Sequence, residues 1–387
     1  MFSLLLAIIY LAFISLGLPD SLLGAVWPIM GPDLGAPLSY AGILSVITSV
    51  STVLSSVFAD KLTQRLGAGK ITAISTALTA LAIFGFSVSN EFWVLCLLSV
   101  PYGIGAGAID AALNNYVALH YAARHMSWLH CFWGLGATIG PYIMSTAIAL
   151  GHGWRGGYGT TALIQGALAV VLFISLPLWK KKADESGIVE SPIGVIDALR
   201  IKGVPAAMIS FFAYCALETS TSLWASSYLV EHRGVDAETA TSFASLFFIG
   251  ITTGRFLAGF IADRIGDKNM VRLCIAVSSA GLVLVLLPIP SHVPVLIGLF
   301  IIGFGAAPTY PVLMHATPLN FGKENSHAII GLQTASAYLG VAFMPLVFGF
   351  LAEHISISLY PIYLGFWIVL LAFFTERINR VAQGNKG

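Results

Sequence analysis

Three acidic residues, Asp20, Asp110 and Glu218, lie inside long apolar stretches of the sequence. A charged side chain at the centre of a membrane-spanning helix costs roughly 2.5–3.5 kcal/mol even on a lenient insertion scale, so each must face a cavity or a partner. A carboxyl group is pushed toward its neutral form in a dry cavity and ionises where it faces water. The pattern predicts proton coupling by Asp20 and Asp110 and a place in the cavity for Glu218. The alternative is a structural hydrogen bond between helices.

Amide, imidazole and aromatic side chains accompany these carboxylates. Flat rings beside amides and carboxylates suit the apolar face and the hydroxyl edge of a sugar. For the tryptophans the alternative is anchoring at the membrane interface, and for the histidine an ordinary hydrogen bond within the bundle. The predicted substrate-binding residues are Asn114, Asn115, His130, Trp133, Glu218, Trp27, Trp224 and Tyr310.

Arg255 is the single basic residue inside a predicted span. Two interpretations stay open from the sequence. Arg255 pairs with a buried carboxylate, or its long side chain extends along the helix to the charged end near Asp263.

The composition requires a lipid environment for these residues. Of 387 residues, 57% are hydrophobic and only 10% are charged, whereas an ordinary soluble domain carries roughly 25% charged residues. The mean hydropathy is +0.87. A net charge of +1 without a long basic tract gives no nucleic-acid footprint. The sequence has no metal-ligand spacing, no nucleophile motif and no strand before its glycine strings, so we expect no enzyme activity, no cofactor and no metal.

Apolar runs bounded by charges or by glycine and proline clusters predict twelve membrane-spanning helices. Their positive charges are distributed unevenly: with the N-terminus in the cytoplasm, 16 of the 19 lysines and arginines fall in cytoplasmic segments. The positive-inside rule then places both termini in the cytoplasm. The predicted spans are 4–30, 39–59, 71–89, 92–118, 128–150, 158–178, 204–230, 240–262, 271–289, 293–316, 328–352 and 357–375.

The spans divide into two similar halves. A charged stretch predicts a cytoplasmic linker over 179–203, between a six-helix half at 1–178 and another at 204–387. Gly103 and Gly105 match Gly303 and Gly305 at an offset of 200 residues. Asp20 and Glu218 are 198 residues apart. Such an internal repeat predicts pseudo-symmetric halves with a substrate site between them near the bilayer midplane.

The segment Gly259–Lys268, GFIADRIGDK, resembles the cytoplasmic loop of the major facilitator superfamily. Within that superfamily, WLHCFWGLGA from Trp128 and DAALNNY from Asp110 are similar to motifs of the fucose–galactose–glucose:proton symporter (fucose permease) family. Aspartate at 110 replaces that family's glutamate. The resemblance implies the major facilitator fold, gating by Asp263 and Arg264, and an acidic coupling residue at Asp20.

The leading hypothesis is a secondary active transporter that moves a small polar solute, favouring a monosaccharide, by proton symport with alternating access. We expect a monomer in the plasma membrane, the inner membrane of a bacterium, with protons and lipid as its other partners. Two alternatives stay open. One is a proton-coupled exporter of amphipathic compounds, and the other is a sensor that keeps the fold without transporting.

Overall fold

The structure, a computed structural model, describes residues 4–121, 123–179 and 195–384. Throughout these residues the regular structure is helical, with no strand, which confirms the predicted all-α fold. Two short 3-10 helices, Leu176–Leu178 and Ile357–Leu359, extend or precede longer ones. The α-helices are α1 Leu4–Asp20, α2 Leu22–Asp33, α3 Tyr40–Leu66, α4 Ala68–Val88, α5 Phe92–His120, α6 Ala123–Ala149, α7 Gly153–Ser175, α8 Val195–Arg200, α9 Val204–Glu231, α10 Ala237–Phe243, α11 Ser245–Ile265, α12 Asp267–Leu286, α13 Val293–Ala306, α14 Thr309–Phe321, α15 Lys323–His354 and α16 Tyr360–Gly384.

Three helix pairs, α1/α2, α10/α11 and α13/α14, are interrupted by one or two residues that keep right-handed helical angles, so each pair forms one span. With these pairs joined and the short α8 set aside, the described helices form twelve segments, in agreement with the predicted twelve spans. Nine segments are long and apolar enough to cross a membrane, and Tyr40–Ser56 is a shorter apolar stretch of α3. Helices α6 and α9 have 27 and 28 residues, which at about 1.5 Å per residue also exceeds a bilayer core.

Twelve alternating spans bring the start of α1 and the end of α16 to one end of the bundle. We call this the terminal end and the opposite one the far end. The described turns at the terminal end include two glycines at matching positions of the repeat. Gly67 joins α3 to α4 with φ 87°, and Gly266 joins α11 to α12 with φ 76°. Glycine adopts positive φ without a Cβ penalty, so the repeated glycines preserve the same tight turn in both halves.

The other repeated glycines allow close packing of helices. A Cβ at Gly103 in α5 would collide with a backbone carbonyl of α3, and one at Gly303 in α13 would collide with a backbone carbonyl of α11. Gly105 and Gly305 face the next neighbours, α4 and α12, at equally short range. Small residues let helix backbones approach within van der Waals contact where lipid gives little hydrophobic drive for association. The matched glycines therefore hold equivalent helices together in the two halves.

A polar cluster around Arg155 fixes the far end of the first half. The Arg155 guanidinium donates to Asp33 Oδ2 at 2.6 Å and to the Asn90 side chain at 3.0 Å. It also donates to the Ser89 carbonyl and lies 4.2 Å from the Trp154 ring centroid. These contacts join the end of α2, the α4–α5 turn and the start of α7.

Arg233 likewise joins helix ends at the far end of the second half. Its guanidinium donates to the Val285 carbonyl at 2.5 Å and the Leu287 carbonyl at 3.2 Å, which ties the end of α9 to the end of α12. Arg155 and Arg233 are the two arginines that the charge distribution predicts to lie outside the cytoplasm. In the structure each donates hydrogen bonds to groups at the far end.

The predicted linker falls largely outside the described residues. Of 179–203, the structure describes Trp179 and residues 195–203, which include α8. Trp179 packs on the first half, with its ring 4.9 Å from that of Tyr116. The boundaries 1–178, 179–203 and 204–387 stay a prediction.

We predict that Arg155→Gln lowers the free energy of unfolding by about 1 kcal/mol, because it removes the guanidinium contacts with the half-exposed Asp33, with Asn90 and with the Ser89 carbonyl. Thermal unfolding of the purified protein in detergent, followed by tryptophan fluorescence, measures the change. Arg200→Gln is the matched control, since Arg200 lies 3.8 Å from Asp197 with 78% of its side chain exposed, where a pair contributes little. Equal melting temperatures for the two variants would contradict a stabilising role for Arg155.

Candidate functional site

The site begins at the break between α1 and α2. Pro19 has no backbone N–H and its ring crowds the carbonyl of residue 15, so the helix loses a hydrogen bond there. The freed Ser15 carbonyl accepts a hydrogen bond at 2.7 Å from the side-chain amide of Gln165, a buried residue of α7. Asp20 follows as the last residue of α1, and Ser21 lies between the helices. The interruption is thus compensated by α7 and leaves Asp20 on an open face.

Both oxygens of the Asp20 carboxylate accept hydrogen bonds. Tyr102 of α5 donates its hydroxyl to Oδ1 at 2.5 Å, and Trp133 of α6 donates its indole N–H to Oδ2 at 2.9 Å. Asp20 is nevertheless an exposed residue, so it also faces the space between the halves. An ionised carboxylate only accepts hydrogen bonds, and donors on both oxygens suit this form. Sequence reasoning missed Tyr102, because a tyrosine in an apolar helix carries no local signal of its partner.

Glycines set the position of Trp133 beside Asp20. A Cβ at Gly17 of α1 would collide with the Trp133 carbonyl, and a Cβ at Gly136 of α6 would collide with the Ile14 carbonyl. The α1 and α6 backbones therefore touch at this level, which brings the indole within reach of the carboxylate. The glycine string after Trp133 thus serves helix packing.

Asp110 and Asn114 form a second polar pair, one turn apart on α5. The Asn114 amide donates to Asp110 Oδ1 at 2.9 Å, as the i, i+4 spacing allows. The charge of Asp110 interacts with that of Asp20 and with Tyr310 and Tyr338 of the second half. Asp110 is partly buried. Asp20 and Asp110, the two predicted coupling residues, therefore lie close enough at the seam for their charges to interact.

Arg255 pairs with Glu218, which decides between the two interpretations left open by the sequence. Arg255 Nη2 lies 3.4 Å from Glu218 Oε1, and the side chains are only 19% and 17% exposed. The Arg255 guanidinium carbon also lies 5.6 Å from the Trp133 ring centroid, within the range of a cation–π interaction. Trp133 therefore contacts Asp20 of its own half through the indole N–H and Arg255 of the other half through its ring.

A cavity of about 740 Å³ extends from this seam toward the terminal end. His130, Glu218 and Tyr310, all predicted binding residues, line it, as does Arg255. His130 is exposed and makes an edge contact with the Phe13 ring at 6.0 Å. The other polar residues of the wall become neighbours only through packing: Tyr214, Thr334, Tyr338, Asp267 and His315.

Trp27 and Trp224 are corrections to the predicted cavity lining. Their side chains are 1% and 0% exposed and belong to the hydrophobic core. Trp224 donates its indole N–H to the Pro345 carbonyl at 2.8 Å and packs edge-on against Phe348. A tryptophan that fills a close-packed core cannot at the same time present its face to a solute. Both lie in the far half of their helices, where the two halves of the molecule meet.

The remaining predicted residues are Asn115, for solute binding, and Asp263 and Arg264, for gating. Asn115 is partly buried on α5. Arg264 is exposed at the end of α11, on the terminal end. The side chain of Asp263, the other predicted gating residue, lies outside the described part of the structure.

The two halves contact each other toward the far end. Ser226 of α9 donates its hydroxyl to the Ala25 carbonyl of α2 at 2.8 Å. The backbone N–H of Ser39 donates to Glu353 Oε2 of α15 at 3.0 Å. At the terminal end the cavity reaches Asp267 and His315, the latter with 71% of its side chain exposed. The structure is therefore closed at the far end and open at the terminal end.

A sequence profile described as Major Facilitator Superfamily matches residues 9–241 and 206–384. The chain belongs to the Major Facilitator Superfamily. An uncharacterised MFS-type transporter of Yersinia pestis is 24% identical over 354 residues, covering 90% of this chain and 89% of that protein. The glucose/mannose transporter GlcP of Bacillus subtilis is 24% identical over 301 residues, covering 74% and 72%.

The fold agrees with this membership. The crystal structure of the nucleoside transporter NupG superposes with a TM-score of 0.76 at 15% identity, covering 97% of this chain and 99% of that one. Membership of the Major Facilitator Superfamily points to an integral membrane transporter of a small molecule. The candidate transport site is the seam between the halves, where one carboxylate pairs with an arginine and two accept hydrogen bonds from neutral donors.

We predict that Glu218→Gln and Arg255→Gln each destabilise the protein, because each leaves the other partner as a partly buried charge without its counter-ion. The double variant should lose less than the sum of the two, by about 0.5–3 kcal/mol. Thermal unfolding of the four proteins at one pH gives this double-mutant cycle. Additive losses would show that the two side chains do not interact in solution.

Proposed function

We propose that the chain is a proton-coupled symporter of a small polar solute, with a monosaccharide as the favoured class. The observation that carries this proposal is the pair of carboxylates, Asp20 and Asp110, held at the seam by neutral donors. Glu218 has the Arg255 cation as its partner, whereas Tyr102, Trp133 and Asn114 carry no charge. Negative charge that no cation neutralises in a membrane interior favours binding of a proton.

Alternating access gives the proton its route. When the cavity opens to one side, the carboxylates exchange protons with the water on that side. When the cavity closes there and opens to the opposite side, the same carboxylates exchange protons with the water on the opposite side. Two carboxylates close together would titrate as a coupled pair. One proton moved with a neutral solute supplies roughly 2.3 kcal/mol per 100 mV and about 1.4 kcal/mol per pH unit. This energy supports substantial accumulation of the solute.

The cavity wall supports a hydroxylated solute. Tyr214, Tyr310 and Tyr338 offer ring faces and hydroxyl groups, and Thr334 and His130 add further polar atoms. Aromatic faces with a few convergent polar groups match the two faces of a pyranose ring. Trp133 contacts Arg255 from the first-half side of the same seam, and we assign Asn114 and Asn115 to solute binding on that side. GlcP, a glucose/mannose transporter by name, gives a related precedent within the superfamily.

The orientation follows from the charge asymmetry. We place the chain in the plasma membrane, the inner membrane of a bacterium, as a monomer with both termini in the cytoplasm. The open terminal end then faces the cytoplasm, and the described conformation is inward-open. Asp263 and Arg264 on this side would act in gating. Within the superfamily, the motifs at spans 4 and 5 favour kinship with the fucose permease relatives.

We predict that Asp110→Asn abolishes uphill solute uptake while it retains solute exchange, because the variant cannot gain or lose a proton at that site. The assay uses proteoliposomes with an imposed inward proton gradient, labelled monosaccharides and an external pH electrode. Wild-type protein should show sugar-driven alkalinisation. Asp197→Asn is the matched control, since Asp197 is 69% exposed on α8, outside the cavity.

Two results would overturn the proposal. One is uphill uptake by Asp110→Asn equal to that of wild type. The other is absence of sugar-driven alkalinisation by wild-type protein across a panel of hexoses, pentoses and deoxysugars. Binding of a sugar without flux would favour the sensor alternative, and dye efflux that depends on the proton gradient would favour the exporter.

A further inference from the structure

Trp133 is the only side chain among those described at the seam for which contacts with a charged group of each half are resolved. Its indole N–H donates to Asp20 Oδ2 at 2.9 Å, and its ring faces the Arg255 guanidinium at 5.6 Å. The Phe248 ring of α11 packs edge-on against it at 6.3 Å. The indole is partly buried, and its backbone is fixed by close contact with Gly17. A movement of the Trp133 ring, which belongs to α6, therefore changes its contacts with both α1 and α11.

We infer that Trp133 is a positioning residue that transmits the charge state of Asp20 to the contact between the two halves. This inference rests on the proposed proton coupling. It assigns to Trp133 a role in addition to lining a solute cavity, and it assigns to Arg255 the receiving contact in the opposite half.

The chemistry of the hydrogen bonds gives the direction of the effect. A hydrogen bond from the indole to an ionised carboxylate is roughly twice as strong as one to a neutral acid. Protonation of Asp20 also turns one acceptor oxygen into a donor, so Tyr102 and Trp133 no longer donate to two equivalent oxygens. The indole is then held less firmly, and its ring no longer has a fixed position for Arg255. The arrangement seen in the open conformation therefore belongs to ionised Asp20.

Arg255 has a second partner in its own half, Glu218. Its guanidinium contacts both the Trp133 ring and Glu218, the latter at 3.4 Å, which is longer than an optimal charge-assisted hydrogen bond. When Trp133 is released, Arg255 gains freedom to close on Glu218. Of the titratable groups nearby, Tyr102 and Asp110 of α5 interact with Asp20, and Tyr158 of α7 interacts with Tyr102. His130 of α6 and Glu218 of α9 interact with Arg255 of α11. Tyr310 of α14 and Tyr338 of α15 interact with Asp110.

Linkage then fixes the pH dependence. Because the open conformation holds ionised Asp20 more firmly, the ratio of open to closed molecules should rise with pH in the absence of solute. Removing the indole donor weakens this preference by about one charge-assisted hydrogen bond. The change in the open-to-closed ratio across the pH range should therefore shrink about tenfold.

The test measures distances between spin labels on the two halves at the terminal end. Lys70→Cys on α4 and Leu319→Cys on α14 place labels at exposed positions, in full-length protein in lipid nanodiscs. The four native cysteines, at 96, 131, 215 and 274, are replaced by alanine in this background. Double electron–electron resonance from pH 5 to 9 then gives the distribution of distances between the labels, and from it the fraction of open molecules.

Trp133→Phe keeps a ring opposite Arg255 but removes the donor to Asp20. We expect it to reduce the pH response about tenfold in ratio, and to have no further effect when combined with Asp20→Asn. Trp128→Phe is the matched control on the same helix, because Trp128 is exposed and its described ring contact is with His125. It should respond to pH as wild type does.

A wild-type pH response in Trp133→Phe would overturn the inference. So would an equal effect of Trp133→Phe in the wild-type and Asp20→Asn backgrounds. If Trp133→Phe does not yield folded protein, Arg255→Lys tests the receiving contact. It keeps the positive charge near Glu218 but lacks the flat guanidinium, and a weaker pH response than that of wild type is expected. A full response in that variant would overturn the inference.

Sugar-driven alkalinisation measured on the same preparations separates this inference from the proposed function. A pH response that depends on Trp133 without any sugar-driven alkalinisation would retain the inference and remove the symport proposal. Intact alkalinisation with an unchanged pH response in Trp133→Phe would do the reverse.

Discussion

A carboxylate inside a membrane protein must be held by other groups, and the seam of this transporter is organised around Asp20. Two neutral donors from α5 and α6 hold its oxygens, although the residue remains exposed to the space between the halves. Neither donor brings a positive charge that would fix the carboxylate in its ionised form. The same donors lie on helices that must move when access alternates. The chemistry of one group is thereby linked to the geometry of the whole bundle.

The second half treats its carboxylate differently. Glu218, the counterpart of Asp20 by repeat offset, has an arginine partner and is less exposed. The glycines and the tight turns therefore repeat in both halves, whereas the partners of the matching carboxylates differ between the halves. In the proposed symport the first half would carry the proton-binding carboxylates, Asp20 and Asp110, while the second half supplies most of the described cavity wall.

The backbone of α1 shows how a local fault is made tolerable. Pro19 removes a helix hydrogen bond, and the freed Ser15 carbonyl is satisfied by Gln165 of α7. In lipid an unsatisfied carbonyl would cost several kcal/mol, so irregular backbone survives only where protein or a cavity serves it. The kink thus places Asp20 on the open face at little cost. Gln165 gave no signal in the sequence because its partner is 150 residues away.

The sequence by itself determined the helical membrane fold, the twelve spans and the repeat, because hydropathy, charge asymmetry and glycine spacing act locally along the chain. It also predicted Asp20, Asp110, His130, Glu218 and Tyr310 as residues of the candidate site, and the last three line the described cavity. Only the tertiary structure decided that Arg255 pairs with Glu218, that Tyr102 and Trp133 hold Asp20, and that Trp27 and Trp224 belong to the core. A helix has a polar and an apolar side in sequence, but which neighbour meets each side depends on how all twelve spans pack.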